Sequence, residues 1–198
     1  MINFINFSKE QPLRVLKQHY ENALLNKQIL PEAMVISSYD KNKGEVDSRF
    51  VNLKIIDNSN FIFFSNYGSP KAKQFDSHQQ VSTLLFWQTI NIQIRMKAKI
   101  KKTSSEYNQK YFLDRSNEKN ALAISSTQSK IIDSFDMVQE NFKKSLKNDD
   151  LKECPKYWGG YSFSPYEIEF WEGNEFRLNK RSLYRKDNTT WNHFILEP

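Results

Sequence analysis

Apolar and polar residues alternate along much of the first half of the chain, which is the pattern of half-buried β-strands. The pattern predicts five strands, at residues 33–39, 46–57, 61–66, 81–88 and 91–102. In the last of them, Ile92 and Ile94 alternate with Gln93 and Arg95. Because short turns join most of these strands, we expect an antiparallel meander that closes into a barrel.

Helical periodicity replaces this alternation in two places. Residues 12–26 begin with a proline, which suits the first turn of a helix, and carry an apolar stripe. The middle third predicts helices at 104–115, 121–125 and 130–147, the last capped by Ser129. Strand patterns return at 158–198. The sequence therefore predicts one α+β domain, mainly β with α, over residues 1–198, with a helical insertion at about 104–148.

Residues 169–181 have the pattern of a β-hairpin, with two alternating arms around a Glu-Gly-Asn turn. On the second arm Phe176 and Leu178 would alternate with three polar residues that share one face. These polar residues are Arg177, Asn179 and Arg181. Such a face suits an anionic, planar, hydrogen-bonding ligand. The alternative, which this pattern alone favours, is an exposed polar face on an edge strand.

A short helix is predicted directly after the strand at 61–66. Ser69 suits its N-cap and Pro70 its first position, which places Lys71 in the first turn. The helix dipole disfavours a cation there unless an anion is bound. The glycine spacing of a P-loop is absent. The arrangement indicates a phosphate site that includes Lys71.

The net charge of +6 fits either nucleic acid or small phosphorylated ligands. No nucleic-acid-binding motif or basic helix accompanies it, so we expect the small ligands. One cysteine and three widely separated histidines offer neither a disulfide nor a metal-site spacing. We find no signal-peptide pattern and no apolar run long enough to cross a bilayer. We therefore expect a soluble, cytoplasmic protein without a metal or a membrane partner.

Six segments occur together in an order and at a spacing that resemble the pyridoxine/pyridoxamine 5′-phosphate oxidase family. They are RFVNLK at 49–54, NYGSPK at 66–71, YFLDR at 111–115, QS at 128–129, YWGG at 157–160 and FWEGNEFRLNKR at 170–181. The resemblance covers residues 30–198. It implies a split β-barrel of antiparallel strands with flanking helices, and a homodimer that binds FMN at the subunit interface.

The resemblance also implies site residues. Arg49 and Lys71 would hold the FMN phosphate. Further cofactor contacts would come from Phe50, Val51, Lys54, Phe64, Ser65, Gln93, Gln128, Ser129, Trp171 and Arg181. The phosphate of a vitamin B6 substrate would contact Lys54, Tyr111, Arg115 and Lys119. Arg177 and Asn179 would lie at the substrate ring and take part in catalysis. A phosphate needs such cationic and hydroxyl donors.

The implied reaction oxidises pyridoxamine or pyridoxine 5′-phosphate to pyridoxal 5′-phosphate, with O₂ reduced to H₂O₂. Four residues depart from the family pattern. Asn179 replaces a histidine, Lys119 a serine, Pro70 an arginine, and Lys180 an acidic or amide residue. Asparagine cannot become a cation near neutral pH. Two alternatives therefore remain: a related FMN oxidoreductase for another anionic ring compound, and a non-catalytic protein that binds FMN or pyridoxal phosphate.

Overall fold

Ten strands form one sheet in the computed structural model, which describes residues 1–198. The strands are β1 (Asn3–Ile5), β2 (Ala33–Asp40), β3 (Glu45–Asn52), β4 (Ile55–Asp57), β5 (Asn60–Asn66), β6 (Gln80–Trp87), β7 (Ile92–Lys102), β8 (Trp158–Glu172), β9 (Lys180–Asp187) and β10 (Thr190–Leu196). The helices are α1 (Gln11–Leu25), α2 (Pro70–Ser77), α3 (Ser105–Leu113), α4 (Asn117–Ser125) and α5 (Phe135–Asn148). The predicted α+β class is confirmed.

The strand order is β1-β4-β5-β8-β7-β6-β2-β3, and β9 and β10 extend the sheet from β8. The predicted meander is therefore wrong at its centre, because β5 pairs with β8 and not with β6. The 15-residue strand β8 pairs with β5 through residues 158–163 and with β9 through residues 167–172. Pairing between residues about 100 positions apart leaves no mark on local alternation, so the sequence pattern could not reveal it.

The predicted strand at 46–57 is two strands, because the chain crosses the barrel at Leu53 and Lys54. The backbone N–H of Leu53 donates to the carbonyl of Glu32, next to β2, at 2.9 Å. The N–H of Lys54 donates to the carbonyl of Ile62 in β5, also at 2.9 Å. Two consecutive amides therefore connect β5 with the start of β2, four places away in the strand order, and this crossing closes the split barrel.

The C-terminal hairpin is present, but its connection is longer than the predicted turn. β8 and β9 pair with Trp171 opposite Arg181, and β9 begins only at Lys180. Residues 173–179 form a loop that contains a 3₁₀ turn, with Phe176 at φ 54° and Arg177 at φ 61°. The predicted common face of Arg177, Asn179 and Arg181 is therefore wrong, because only Arg181 lies on the strand.

The last helix also begins later than predicted. α5 starts at Phe135, and the Oγ of Ser134 accepts the N–H of Met137. Ser129 has a φ of 68°, a left-handed conformation, and does not cap this helix. The segment between them leaves Ile131 fully exposed. No helix in the structure combines the length and the apolar character that a bilayer crossing needs.

The hydrophobic core fills the barrel and extends to α1 and α2. It contains 26 buried residues, in which Phe61, Phe63, Phe163 and Tyr161 stack along β5 and β8. The inward residues of β7, from Ile92 to Ile100, are the apolar set that its alternation predicts. The polar set, which includes Gln93 and Arg95, therefore lies on the outer face.

Candidate functional site

A cluster of hydrogen-bonded polar groups surrounds Arg49 on β3 and Lys71 at the start of α2. Nη1 of Arg49 donates to Oγ of Ser38 at 2.6 Å, and its Nη2 donates to Oε1 of Gln74 at 2.9 Å and to Asp47. Nζ of Lys71 donates to Oε1 of Gln128 at 2.7 Å and to Oγ of Ser69 at 3.2 Å. Ser65 donates to the same Gln128 oxygen at 3.2 Å. We call this the Arg49–Lys71 cluster.

Lys71 is an uncompensated cation. It is only 9% exposed and forms no ion pair with any carboxylate. Burial and the nearby charge of Arg49 lower the pKa of Lys71 to about 8. A buried cation with neutral hydroxyl and amide neighbours is the donor set that a phosphate needs. The cluster fits the phosphate of FMN on these grounds.

A pocket of about 430 Å³ lies beside this cluster and contains all four side chains predicted for the substrate phosphate. We call it the Lys54 pocket. Its lining residues are Asn52, Lys54, Phe64, Tyr111, Asp114, Arg115, Ser116, Lys119 and Trp158. Three cations face one carboxylate, so the pocket favours an anionic ligand. The barrel crossing after β3 supplies Lys54, α3 supplies Tyr111, the segment after α3 supplies Arg115, and α4 supplies Lys119.

Stacked aromatic rings hold the walls of the Lys54 pocket. Tyr111 lies parallel to Phe64, with ring centroids 3.6 Å apart. The guanidinium of Arg115 lies 4.2 Å from the ring centroid of Trp158, and its Nη2 donates to the carbonyl of Lys119 at 2.8 Å. Burial lowers the pKa of Arg115, although the group stays charged near neutral pH. These contacts fix the direction of the phenol and the guanidinium before a ligand binds.

The cluster and the pocket are joined. A second cavity of about 230 Å³ is lined by Ser65 and Gln128 from the cluster and by Phe64, Arg115 and Lys119 from the pocket. Phe64 and Ser65 are adjacent on β5, so one strand contributes to both sites. The structure thus places two neighbouring groups of cationic side chains, both suited to an anion, on a continuous concave surface.

Three of the residues predicted to contact the cofactor form a separate group. Gln93 lies opposite Trp171, and Trp171 lies opposite Arg181, so the three form one row across β7, β8 and β9 on the outer face. No contact within the chain joins this row to the Arg49–Lys71 cluster. These three predicted cofactor contacts and the predicted FMN-phosphate contacts Arg49 and Lys71 therefore lie apart in one subunit.

The loop at 173–179 holds the two predicted catalytic residues. Arg177 is exposed, and Phe176 beside it is 90% exposed. Oδ1 of Asn179 accepts the backbone N–H of Asn174 at 3.2 Å, which ties the two ends of the loop together. Asn179 therefore has a structural contact that the sequence did not predict.

Comparison with known proteins shows which family shares this sequence. Residues 22–146 match the profile of the family described as pyridoxamine 5′-phosphate oxidase, and residues 158–198 match that of the pyridoxine 5′-phosphate oxidase C-terminal dimerisation region. The chain belongs to the pyridoxamine 5′-phosphate oxidase family. Members of the family are generally oxidoreductases.

Two relatives in the pyridoxamine 5′-phosphate oxidase family illustrate the similarity. The pyridoxine/pyridoxamine 5′-phosphate oxidase of Legionella pneumophila strain Lens is 35% identical over 193 residues, which cover 96% of this chain and 89% of the relative. The Coxiella burnetii protein of the same name is 33% identical over 189 residues, which cover 94% and 95%. The match therefore extends over almost the whole chain.

Solved structures share the fold of the pyridoxamine 5′-phosphate oxidase family. PhzG from Burkholderia lata, solved with tetrahydrophenazine-1-carboxylic acid, superposes with a TM-score of 0.90 at 24% identity and covers 96% of this chain and 93% of its own. An FMN-binding pyridoxamine 5′-phosphate oxidase-related protein from Nostoc punctiforme gives 0.81 at 15% identity, over 95% and 98%. At these identities the superpositions establish the fold alone.

Several predicted cofactor residues stand outside the two anion sites of this family member. Phe50 is 74% exposed on β3, and Val51 packs against the core. Ser129 lines a cavity with Ile131 and Ile132 and makes no contact with Lys71.

The sequence did not predict Ser38 and Gln74, which accept hydrogen bonds from Arg49. Gln74 follows Lys71 by three positions on the same helix, and that spacing was the available signal.

Proposed function

We propose that the chain is an FMN-dependent oxidase that converts pyridoxamine 5′-phosphate, pyridoxine 5′-phosphate or both to pyridoxal 5′-phosphate, with O₂ reduced to H₂O₂. The observation that carries this proposal is the pair of adjoining anion sites around Phe64 and Ser65. One is suited to a cofactor phosphate and the other to a substrate phosphate. Membership in the pyridoxamine 5′-phosphate oxidase family supports the same chemistry.

In this proposal the Arg49–Lys71 cluster holds the FMN phosphate. Lys71 and Arg49 supply charge and Ser65 supplies a hydroxyl donor, while Oε1 of Gln128 accepts from both Lys71 and Ser65 and so holds these two donors together. Charge-assisted hydrogen bonds to a buried phosphate are strong, because little water competes for the donors. FMN, when bound, supplies a two-electron acceptor.

The Lys54 pocket takes the substrate phosphate. Lys54, Arg115 and Lys119 balance its charge, and the Tyr111 hydroxyl donates a hydrogen bond. Stacking on Phe64 and Trp158 holds Tyr111 and Arg115 in place, so little side-chain entropy is lost on binding. The phosphate thereby fixes the orientation of the substrate ring relative to the cofactor.

Arg177 and Asn179 act at the substrate ring. Arg177 brings a positive charge that attracts an electron-rich pyridine ring and its hydroxyl substituent. The amide of Asn179 closes the loop that carries Arg177. It accepts or donates hydrogen bonds without taking up a proton, so any proton movement at this position must use solvent or substrate groups.

The complete site requires a homodimer in this proposal. The outer sheet face exposes Phe86, which lies opposite Gln93 in the row of Gln93, Trp171 and Arg181, and also exposes Phe50 on β3. Exposed aromatic residues on one sheet face are typical of an interface. The match of residues 158–198 to a dimerisation region supports a dimer that involves this part of the chain. A second subunit would bring its row to the phosphate site of the first, which accounts for the separation of the two groups within one chain.

One observation favours a second candidate. Oδ1 of Asn179 accepts the N–H of Asn174, and the family pattern has a histidine at the position of Asn179. The hydrogen-bonding groups at the substrate ring therefore differ from those of that pattern. A related FMN oxidoreductase acting on another anionic ring compound would retain both anion sites and differ in this loop. A protein that binds FMN or pyridoxal phosphate without turnover would also retain the anion sites.

The decisive experiment measures the flavin and the reaction together. We expect the purified protein to bind FMN and to consume O₂ with pyridoxamine 5′-phosphate, and to respond far less to pyridoxamine, which lacks the phosphate. A protein that FMN cannot reconstitute contradicts every flavin-based function. FMN binding without oxidation of either phosphorylated vitamer supports the second candidate or the non-catalytic binder.

A further inference from the structure

Two carboxylates on the outer face of β8 each bridge the strands on either side. Glu167 accepts from Nζ of Lys97 on β7 and from Nε of Arg185 on β9, both at 2.9 Å. Glu169, two positions later on the same face, accepts from Arg95 on β7 and from Nε of Arg181 on β9. Each carboxylate pairs with one cation on β7 and one arginine on β9. The β9 arginine is Arg185 for Glu167 and Arg181 for Glu169.

Glu169 is the more buried of the two, at 6% exposure. Burial raises the pKa of its carboxyl, and the hydrogen bonds and charges of Arg181 and Arg95 more than offset this, so that the pKa lies below its ordinary value. The carboxylate is therefore ionised across the neutral range. Both of its oxygens are used, one for each arginine.

The contacts of Arg181 leave one nitrogen free. Nε donates to Oε1 of Glu169 at 2.9 Å, and Nη1 donates to the carbonyl of Glu197 at 2.9 Å. Nη2 has no partner in the protein. Because Arg181 lies opposite Trp171, this nitrogen is held at the row that also contains Gln93. Two fixed nitrogens determine the plane of the guanidinium and hence the direction of the third.

We infer that Glu169 is a positioning residue of the flavin site, which fixes the Arg181 guanidinium beside Trp171 so that its free nitrogen is presented to FMN. This inference rests on the proposed function. An arginine that is already held loses little side-chain entropy when a ligand binds, whereas an untethered arginine must be ordered at that moment. Glu167 and Arg185 do not serve this purpose, because Arg185 lies opposite Glu167, away from Trp171.

The test measures the Kd of FMN for the apoprotein by quenching of flavin fluorescence. We expect Glu169→Gln to weaken FMN binding about 10-fold, as the loss of one oriented charge-assisted hydrogen bond does. The matched control, Glu167→Gln, removes the equivalent bridge and should change the Kd less than about 2-fold. In an Arg181→Gln background, Glu169→Gln should have no further effect, because it acts through Arg181.

The outcomes separate the inference from the proposed function. A wild-type protein that does not bind FMN overturns the proposed function. Tight wild-type binding with equal Kd values for Glu169→Gln and Glu167→Gln overturns the inference alone. So does an undiminished effect of Glu169→Gln in the Arg181→Gln background. If thermal unfolding shows that Glu169→Gln does not fold, Glu169→Asp replaces it. This variant keeps the charge but shortens the reach to Arg181, and the same change in the Kd of FMN is expected.

Discussion

Nζ of Lys71 lies 2.7 Å from Oε1 of Gln128, a contact that joins the first turn of α2 to the loop before α5. The neighbour of the buried cation is an amide and not a carboxylate, so its charge remains uncompensated. Arg49, whose charge lowers the pKa of Lys71, lies on the third element of the cluster, β3. Arg49 is paired with Asp47, whereas Lys71 has no carboxylate partner. The fold thus buries one uncompensated cation near a second cation at the expense of stability, an arrangement that an anionic ligand would relieve.

Lys71→Met is expected to stabilise the apoprotein while it weakens FMN binding. Removing the buried charge should stabilise the apoprotein by about 1–2 kcal/mol, because the desolvation of the ammonium and its repulsion by Arg49 disappear. The Kd of FMN should rise about 10- to 100-fold through the loss of a charge-assisted hydrogen bond. Chemical denaturation and FMN titration measure the two effects. Lys73→Met, at an exposed position of the same helix, is the control, and equal FMN binding by both variants would contradict the assignment.

The low pKa of Lys71 also predicts a pH dependence. The pKa is about 8 in the folded apoprotein against an ordinary value of 10.5, so the unfolded chain binds more protons between these values. The destabilising effect of Lys71 is therefore complete below pH 8 and disappears as the pH rises toward 10.5. The stability difference between Lys71→Met and wild type should shrink over this window. FMN affinity of the wild type should fall above pH 8, whereas that of Lys71→Met should not.

Local patterns predicted the elements of this fold better than their arrangement. The alternation of β7 and the stripe of α1 correspond closely to observed strand and helix positions, because burial of one face determines both the pattern and the structure. The pairing of β5 with β8 and the barrel crossing at Leu53 and Lys54 depend on contacts between distant segments, which periodicity does not encode.

The candidate site also contains one residue that a local pattern predicts and others that depend on contacts between distant segments. Lys71 could be predicted from a helix start alone, since a cation in the first turn conflicts with the helix dipole. The other proposed phosphate contacts required the family resemblance, because they come from several elements, among them β3, β5 and α3, and converge only in the folded chain. Alternation assigned Arg177 and Asn179 to a strand face, and it failed because the left-handed residues Phe176 and Arg177 turn the chain into a loop.

Arg115→Gln tests the substrate phosphate site. The change removes one of the three cations of the Lys54 pocket and its stacking on Trp158. We expect the KM for pyridoxamine 5′-phosphate to rise about 10- to 100-fold, with little change in the Kd of FMN. Steady-state O₂ consumption and FMN titration measure the two quantities. Lys110→Met, an exposed position on α3, controls for loss of surface charge. An unchanged KM in Arg115→Gln would show that the substrate phosphate binds elsewhere.

Asn179 decides between the two candidate substrates. Asn179→His introduces a side chain that carries a proton near neutral pH, and we expect it to raise turnover of pyridoxamine 5′-phosphate about 10-fold if the substrate is a B6 phosphate. Asn179→Asp keeps the oxygen that accepts the N–H of Asn174 and controls for closure of the loop. Hydrogen exchange at the Asn174 amide checks that closure in each variant. If Asn179→His keeps the loop closed and turnover stays the same or falls, the loop is built for a different anionic ring compound, and the second candidate function replaces the first.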